Sequence, residues 1–259
     1  MKPAKPDQSI PYGAFAEIYD RLMCSVDYEA WADYVEQLLA KANKKPKTLV
    51  DLACGTGSST LPFARRGYRT AGVDLSAEML SQARQKTAQN NLQVEFFQQD
   101  LRCLNLPGRF DLAVLFQDGL NYILNKEELF LALGKINAVL NDGGLFIFDL
   151  TRPGLRCANQ NGSCCCAEME ELTLIMESYY AGEEDLWSAR LTVFQEVKPG
   201  LFRKYVEEHR EKDYTPELVK DLLGKAGFTV PGIYASFSLE RGSSSDQKLT
   251  FLAEKGSEP

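Results

Sequence analysis

Histidine is almost missing from this chain: His209 is the only one in 259 residues. A metal centre built on several imidazoles is excluded by that count, and no metal-ligand spacing is visible elsewhere. Long apolar runs are missing too. Nothing approaches the roughly twenty residues of a membrane helix, and the opening MKPAKPDQSIPYG lacks an apolar signal-peptide core. The expectation is a cytoplasmic protein with no membrane partner. Positive charge is in deficit, with 29 Lys and Arg against 36 Asp and Glu, a net charge of −7. A broad phosphate-binding face is therefore disfavoured and long nucleic acid is a poor default partner, although a local basic patch is left open. Regularly spaced cysteine pairs are absent as well. Seven cysteines, odd in number and irregular in spacing, do not make a disulfide framework. Three of them are consecutive, Cys164, Cys165 and Cys166, and three adjacent residues converge poorly on one tetrahedral ion. They read as small residues in a mobile loop, and no metal site is expected.

What is present is ordinary in bulk and specific in one place. Length, 44% hydrophobic residues and 25% charged residues fit one large α/β domain, or a domain carrying an insertion. The specific stretch is residues 48–57, TLVDLACGTG. A short buried strand (Leu49, Val50, Leu52) runs into a turn in which Gly55 and Gly57 flank Thr56, and a helix pattern follows over residues 58–66, ended by Gly67. Glycine reaches backbone angles closed to other residues and lets a ligand lie on bare backbone. The helix N-terminus beyond it offers unpaired N–H groups. A second strand, residues 70–74 (TAGVD), ends on Asp74, whose carboxylate is suited to the two hydroxyls of a ribose.

Dinucleotides and S-adenosylmethionine both use such a crevice. A dinucleotide fingerprint asks for a third glycine where this chain has Thr60, and Asp51 puts a negative charge near where a pyrophosphate would lie. A ligand carrying an ammonium and a sulfonium is not repelled. VDLACGTG together with GVDLSAEML resembles motifs one and two of the class I S-adenosylmethionine-dependent methyltransferases. The opening YGAFAEIYD, of the form Tyr-x-x-Phe-Ala-x-x-Tyr-Asp, resembles a bacterial small-molecule branch of them. A dinucleotide-dependent dehydrogenase is the rival that cofactor identity would decide.

The resemblance implies S-adenosylmethionine as cofactor and S-adenosylhomocysteine as product. It implies cofactor contacts from Asp51, Ala53, Gly55, Thr56 and Gly57 in the turn, and from Asp74 on the ribose. Leu75 and Met79 are expected against the adenine, Asp100 and Leu101 at its edge, and Gln117 near the methyl group. Tyr12 and Tyr19 recur at helical spacing on an N-terminal helix. They read either as core or as rings closing over the sulfonium, which a ring face attracts. After the fourth strand (FDLAVLF) the turn runs Gln117, Asp118, Gly119, Leu120, Asn121, Tyr122. It lacks the Asn/Asp-Pro-Pro-aromatic run of methyltransferases that act on exocyclic amino groups of nucleobases.

Residues 126–140 read as a helix closed by NDGG, and LFIFDL as a fifth strand. The pattern then changes. A Gly, Pro and Asn-rich loop over residues 151–163 leads to three alternating stretches, residues 172–180, 186–197 and 201–211, joined by AGEED and KPG turns. They predict a three-stranded antiparallel meander, placed to act as a lid. His209 lies on its last strand, sharing a face with Tyr205, Glu207 and Glu211. It reads as a general base or as a structural histidine, and Asp118 and Tyr122 join it as catalytic candidates. A capped helix after Thr215 and a final strand pair complete the chain.

The expected fold is a doubly wound, Rossmann-like seven-stranded sheet in order 3-2-1-4-5-7-6, the last strand antiparallel, with an inserted antiparallel β lid. Residues 1–150 and 215–259 would form the cofactor-binding core, with residues 1–40 covering the cofactor and residues 151–214 forming the lid. The expected reaction is in-line methyl transfer to a small-molecule N or O acceptor. An RNA methyltransferase and a non-catalytic S-adenosylmethionine-binding protein are the alternatives, and monomer and homodimer are both left open.

Overall fold

The structure, a computed structural model, describes residues 12–13, 15–157, 162–169 and 171–256. The expected flexible lead over residues 1–11, and the end of the polar EKGSEP tail, lie outside the described residues. The elements run α1 (Tyr19–Leu22), α2 (Tyr28–Lys41), β1 (Thr48–Leu52), α3 (Thr60–Arg65), β2 (Arg69–Asp74), α4 (Ala77–Gln89), β3 (Val94–Gln98) and β4 (Phe110–Leu115). They continue with α5 (Lys126–Ala138), β5 (Leu140–Thr151), α6 (Pro153–Cys157), β6 (Ser163–Met169), β7 (Leu172–Ala181), β8 (Leu186–Lys198), β9 (Leu201–Lys212), α7 (Pro216–Lys225), β10 (Phe228–Ala235) and β11 (Lys248–Lys255).

Seven strands form one sheet in the order β10-β11-β5-β4-β1-β2-β3. β1, β2, β3, β4 and β5 pair in parallel, whereas β11 runs antiparallel to β5 and to β10. This is the expected order and sense. Alternation along the strands explains why helices cover both faces. Val50, Leu52, Ala113, Leu115, Phe146 and Phe148 pack on one side with Leu129, Leu133 and Ile136 of α5 and Val219 and Leu223 of α7. Leu49, Leu112, Val114 and Ile147 pack on the other with Trp31, Val35, Leu38 and Leu39 of α2. Ser76 caps α4 by accepting from Met79 N, and Thr215 caps α7 by accepting from Leu218 N, with Pro216 in the first turn.

The second sheet is antiparallel, in order β6-β7-β8-β9, and lies in the chain between β5 and α7. It has four strands rather than the three expected. Cys164, Cys165 and Cys166 belong to the edge strand β6, opposite Glu177, Met176 and Ile175 of β7, not to a loop. β6 is exposed along nearly its whole length, so nothing forces its residues to alternate and the period-two signal is missing. The backbone ladder alone defines it.

Three other boundaries moved. Only residues 19–22 of the expected first helix are helical, and residues 12–13 and 15–18 form turns. α3 starts at Thr60, because the hydroxyls of Ser58 and Ser59 are drawn into bonds with Asp20 and Asp51. α5 ends at Ala138 and β5 begins at Leu140, so NDGG falls inside a bulged strand start where Gly143 adopts φ +69°.

The two sheets are tied at one corner. Asn121, fully buried after β4, donates from Nδ2 to Thr151 O at 2.9 Å and to Lys212 O at 2.8 Å. Phe15 and Ile18 pack on Leu172 and Val193, so the N-terminal segment lies against the second sheet. Among the described residues no helix is long and apolar enough to cross a membrane.

Candidate active site

The glycine turn is built on two carboxylates. Asp51, at the end of β1 and 1% exposed, accepts from Thr60 Oγ1 at 2.6 Å and Ser59 Oγ at 2.7 Å. Burial pushes its carboxyl up to about 6, against the two hydroxyl bonds, and the nearby charge of Asp74 adds to the rise. Asp74, at the end of β2, accepts from Gly55 N at 2.8 Å and Ser76 N at 2.9 Å. Burial raises its pKa too, opposed by the N–H groups of Ser76, Gly55 and Leu75. Gly55 and Gly57 adopt φ +53° and +76°, and Ala53 stands exposed at φ +54°. A Cβ on Gly55 would meet nothing within 4 Å, whereas one on Gly57 would press on Ala83 Cβ at 3.1 Å. The turn is therefore packed beneath and open above, as a ligand lying on its backbone requires.

Asp51 yields a prediction. Its folded-state pKa, about 6, exceeds the ordinary 3.8, so the native state binds the extra proton. Stability is then lost as pH rises from about 4 to about 6, by roughly 3 kcal/mol in all. Asp51→Asn should remove that loss. Melting curves of the two proteins should diverge across this interval and run parallel above it, the variant being the more stable. A gap that does not change with pH would refute the assignment.

One side of the turn is latched to the N-terminal segment. Thr56 Oγ1 donates to Asp20 Oδ1 at 2.6 Å, Ser58 Oγ donates to the same oxygen at 3.0 Å, and Lys86 Nζ pairs with Asp20 Oδ2 at 2.6 Å. Burial would raise the Asp20 pKa, but the bonds from Lys86, Thr56 and Ser58 hold it below its ordinary value. On the other side, Leu75 is 40% exposed and Met79 is 2% exposed, so of the two adenine candidates Leu75 offers the open surface. Asp100 is engaged by Arg102, at 2.9 and 3.1 Å to Nε and 2.5 Å to Nη2, and these bonds lower its pKa. Arg102 also holds Glu128 at 2.7 Å. Leu101 begins the short 3-10 helix (Leu101–Cys103) that follows.

The end of β4 is strained. Gln117 and Asp118 adopt φ +61° and +65° in succession, which costs about 1–2 kcal/mol for each non-glycine residue. Asp149, buried on β5, compensates: Oδ2 accepts from Gln117 N and Oδ1 from Asp118 N, both at 3.0 Å. Lys248 of β11 stands 2.9 Å from Asp149 and 3.1 Å from Asp118, with its ammonium 5.4 Å from the Trp31 ring centre. Burial would lower the Lys248 pKa, but the two carboxylates raise it and keep the ammonium charged. Asp118 also accepts from Thr151 Oγ1. Its carboxylate is thus occupied by Lys248 and Thr151, whereas Tyr122 and His209 meet one another.

Those two belong to a buried polar chain. Tyr12 Oη and Tyr122 Oη are 2.5 Å apart, and Tyr122 Oη is 3.0 Å from His209 Nδ1. His209 is 2% exposed, and its Nε2 lies 3.4 Å from Glu207 Oε2. Tyr12 packs edge-on against Tyr19, with ring centres 5.3 Å apart, and lies 4.5 Å from the His209 ring centre. Burial holds Tyr12, Tyr19 and Tyr122 well above the usual phenol value, so all three keep their protons at neutral pH. An open cleft also lies at the opposite ends of β1 and β2, among Lys45, Lys47, Tyr68 and Arg69, away from this chemistry.

Asp20, Lys86, Asp149 and Lys248 were not anticipated from the sequence. Asp149 had a signal, one acid in the otherwise apolar LFIFDL. Asp20 sat within the YD pair, and Lys248 had none.

An open, mostly parallel sheet with a bare glycine turn and a half-buried carboxylate at the end of its second strand defines a nucleoside-cofactor enzyme. A family profile described as a methyltransferase domain matches residues 49–144. A protein of Geobacillus sp. (strain WCH70), assigned as a methyltransferase, is 31% identical over 245 residues, which is 94% of this chain and 99% of that one. The crystal structure of a S-adenosylmethionine-dependent methyltransferase from Clostridium acetobutylicum ATCC 824 superposes with a TM-score of 0.85 at 28% identity, covering 95% of this chain and 99% of that one. The dTDP-3-amino-3,4,6-trideoxy-alpha-D-glucopyranose N,N-dimethyltransferase of Streptomyces venezuelae is 29% identical over 136 residues, 52% of this chain and 56% of that one. The chain belongs to the methyltransferase family, in the class that takes its methyl group from S-adenosylmethionine.

Proposed function

We propose that this enzyme methylates a small-molecule acceptor at nitrogen or oxygen, with the acceptor held where the N-terminal segment, the end of β4 and the second sheet converge. The Tyr12–Tyr122–His209 chain carries this reading, because it joins residues from all three of those parts. Residues 1–40 act as the cofactor cover and residues 151–214 as the lid. The amino-sugar N,N-dimethyltransferase, similar over about half its length, supports a small polar acceptor. Six described cysteines, all free, support a reducing, cytoplasmic setting.

Bound on the turn, S-adenosylmethionine supplies an electrophilic methyl group and leaves as a neutral thioether. The protein's part is to align the partners in line and exclude water. Gly55, Thr56 and Gly57 offer backbone, the Thr56 hydroxyl being held by Asp20, with Asp51 beneath them and Ala53 beside them. Asp74 would accept from the ribose hydroxyls, and Leu75 would meet the adenine with Met79 packed behind it. Asp100 and Leu101 would meet its edge, Gln117 would lie near the methyl group, and Tyr12 and Tyr19 would close over the sulfonium. A phenol that stays protonated can relay without net loss: Tyr122 donates its Oη–H to His209 Nδ1 as Oη takes the acceptor's proton. Asp118 shapes the turn through Lys248.

The test is to incubate the enzyme with methyl-labelled S-adenosylmethionine and two acceptor pools, a dialysable metabolite fraction and total RNA. Label should appear in dialysable, nuclease-resistant material. Label confined to nuclease-sensitive material would favour the RNA alternative and overturn the proposal.

A further inference from the structure

One carboxylate touches both the N-terminal segment and the imidazole. The Glu207 side chain, 9% exposed on β9, accepts from Tyr12 N at Oε2, 2.7 Å away, and from Phe15 N at Oε1, 3.1 Å away. Its Oε2 also stands 3.4 Å from His209 Nε2, a charge contact outside hydrogen-bond geometry. Tyr12 is therefore attached twice, by its backbone N–H to Glu207 and by its phenol, through Tyr122, to the far side of the same imidazole. The contacts close into a ring: Glu207, Tyr12, Tyr122, His209 and back to Glu207. Tyr12 holds φ +66° within it, a conformation that a non-glycine residue keeps only when its surroundings fix it. At its other end the same N-terminal segment is latched to the glycine turn by Asp20, which binds Thr56, Ser58 and Lys86.

We propose that Glu207 is a positioning residue that seats the N-terminal segment and orients His209 together, so that occupancy of the cofactor turn is transmitted to the imidazole. The path runs from Thr56 and Ser58 through Asp20 and the segment to Tyr12 and Phe15, and from them to Glu207 and the ring. The Glu207 carboxylate stands 3.4 Å from Nε2 without hydrogen-bonding it, and its charge favours the tautomer that carries the proton there and presents Nδ1 as an acceptor to Tyr122. A proton arriving at Nδ1 gives an imidazolium whose Nε2–H faces the carboxylate. Glu207 need not touch substrate for this. The inference rests on the reading that His209 belongs to the acceptor site.

Because His209 is the only histidine, nitrogen and carbon NMR of histidine-labelled, full-length protein reads this one ring. The neutral ring should be the Nε2–H tautomer, and addition of S-adenosylhomocysteine should shift its signals. In Glu207→Gln the response to S-adenosylhomocysteine should be lost, while calorimetric affinity for it weakens by no more than about tenfold, the scale of one charge-assisted hydrogen bond. An Nδ1–H tautomer in the unmodified protein, or a full response retained in Glu207→Gln, would overturn the proposal and leave the acceptor-site reading intact. If S-adenosylhomocysteine binds the unmodified protein calorimetrically yet moves no His209 signal, the proposal is overturned, whereas the acceptor-site reading is decided by the methyl-transfer rate of His209→Gln. The tautomer decides without any substitution, so a variant that fails to fold does not remove the test.

Discussion

Asp74→Ala should weaken S-adenosylhomocysteine binding by about a hundredfold, or near 3 kcal/mol. The carboxylate ends β2 beside the glycine turn and already accepts two backbone bonds, from Gly55 N and Ser76 N. Four lone-pair sites leave room for two more donors, the number a ribose presents. Each charge-assisted bond is worth about 1.5–3 kcal/mol when its partner has nowhere else to go. Removing the side chain also orphans Gly55 N and Ser76 N, so part of the loss could come from a relaxed turn. Asp74→Asn divides the two effects in part: Gly55 N and Ser76 N bond different carboxylate oxygens, so the amide keeps the shape and one of the two backbone bonds while the charge is lost, and affinity should fall by about tenfold or more, short of the alanine loss. Calorimetry with S-adenosylhomocysteine, beside NAD and NADP, measures both. Affinity within threefold of the unmodified protein in the alanine variant would remove Asp74 from the ribose site. A preference for either dinucleotide would count against the whole cofactor geometry.

Tyr122→Phe and His209→Gln should each lower methyl transfer by about 10²–10³ while leaving S-adenosylhomocysteine affinity within threefold. The phenylalanine keeps the ring and its packing but breaks the chain on both sides, at Tyr12 and at His209 Nδ1. Glutamine keeps a polar side chain in a buried position but cannot be protonated near neutral pH. The two losses should not add in the double variant, because either one interrupts the same proton path. The measurement uses whichever acceptor receives labelled methyl, with transfer followed at saturating cofactor. Rates within fivefold of the unmodified enzyme in both single variants would return His209 to a structural role. Fully additive losses would mean the two residues act separately.

The parts of this architecture that could be read in advance are those where burial imposes a period. FDLAVLF and LFIFDL had to be strands covered on both faces. The glycine spacing of CGTG and the terminal acid of TAGVD fixed the cofactor end because backbone angle and charge leave few substitutes there. Two kinds of feature escaped. The exposed edge strand β6 carries no alternation, since its residues face solvent and only the ladder to β7 orders them. The Asp20–Lys86 and Asp149–Lys248 pairs join residues far apart in the chain, and a lysine at position 248 looks like any solvated lysine until β11 is set beside β5. His209 was visible as a lone titratable group. Its partners were not, because Tyr12 and Tyr122 approach it from separate elements.

The position of Lys248 also bears on the order in which the chain acquires activity as it leaves the ribosome. β11 is a central strand, inserted between β5 and β10, and it is the last element of the sheet to be synthesised. Until it docks, β5 has an open edge and Asp149 lacks its counter-charge, so the paired left-handed residues Gln117 and Asp118 have lost the ion pair that steadies their clamp. A nascent chain that has emerged only through β9 already carries the glycine turn, Asp74, Tyr122 and His209. It still lacks the strand that sets the end of β4, and so methyl transfer is expected only once synthesis has passed β11.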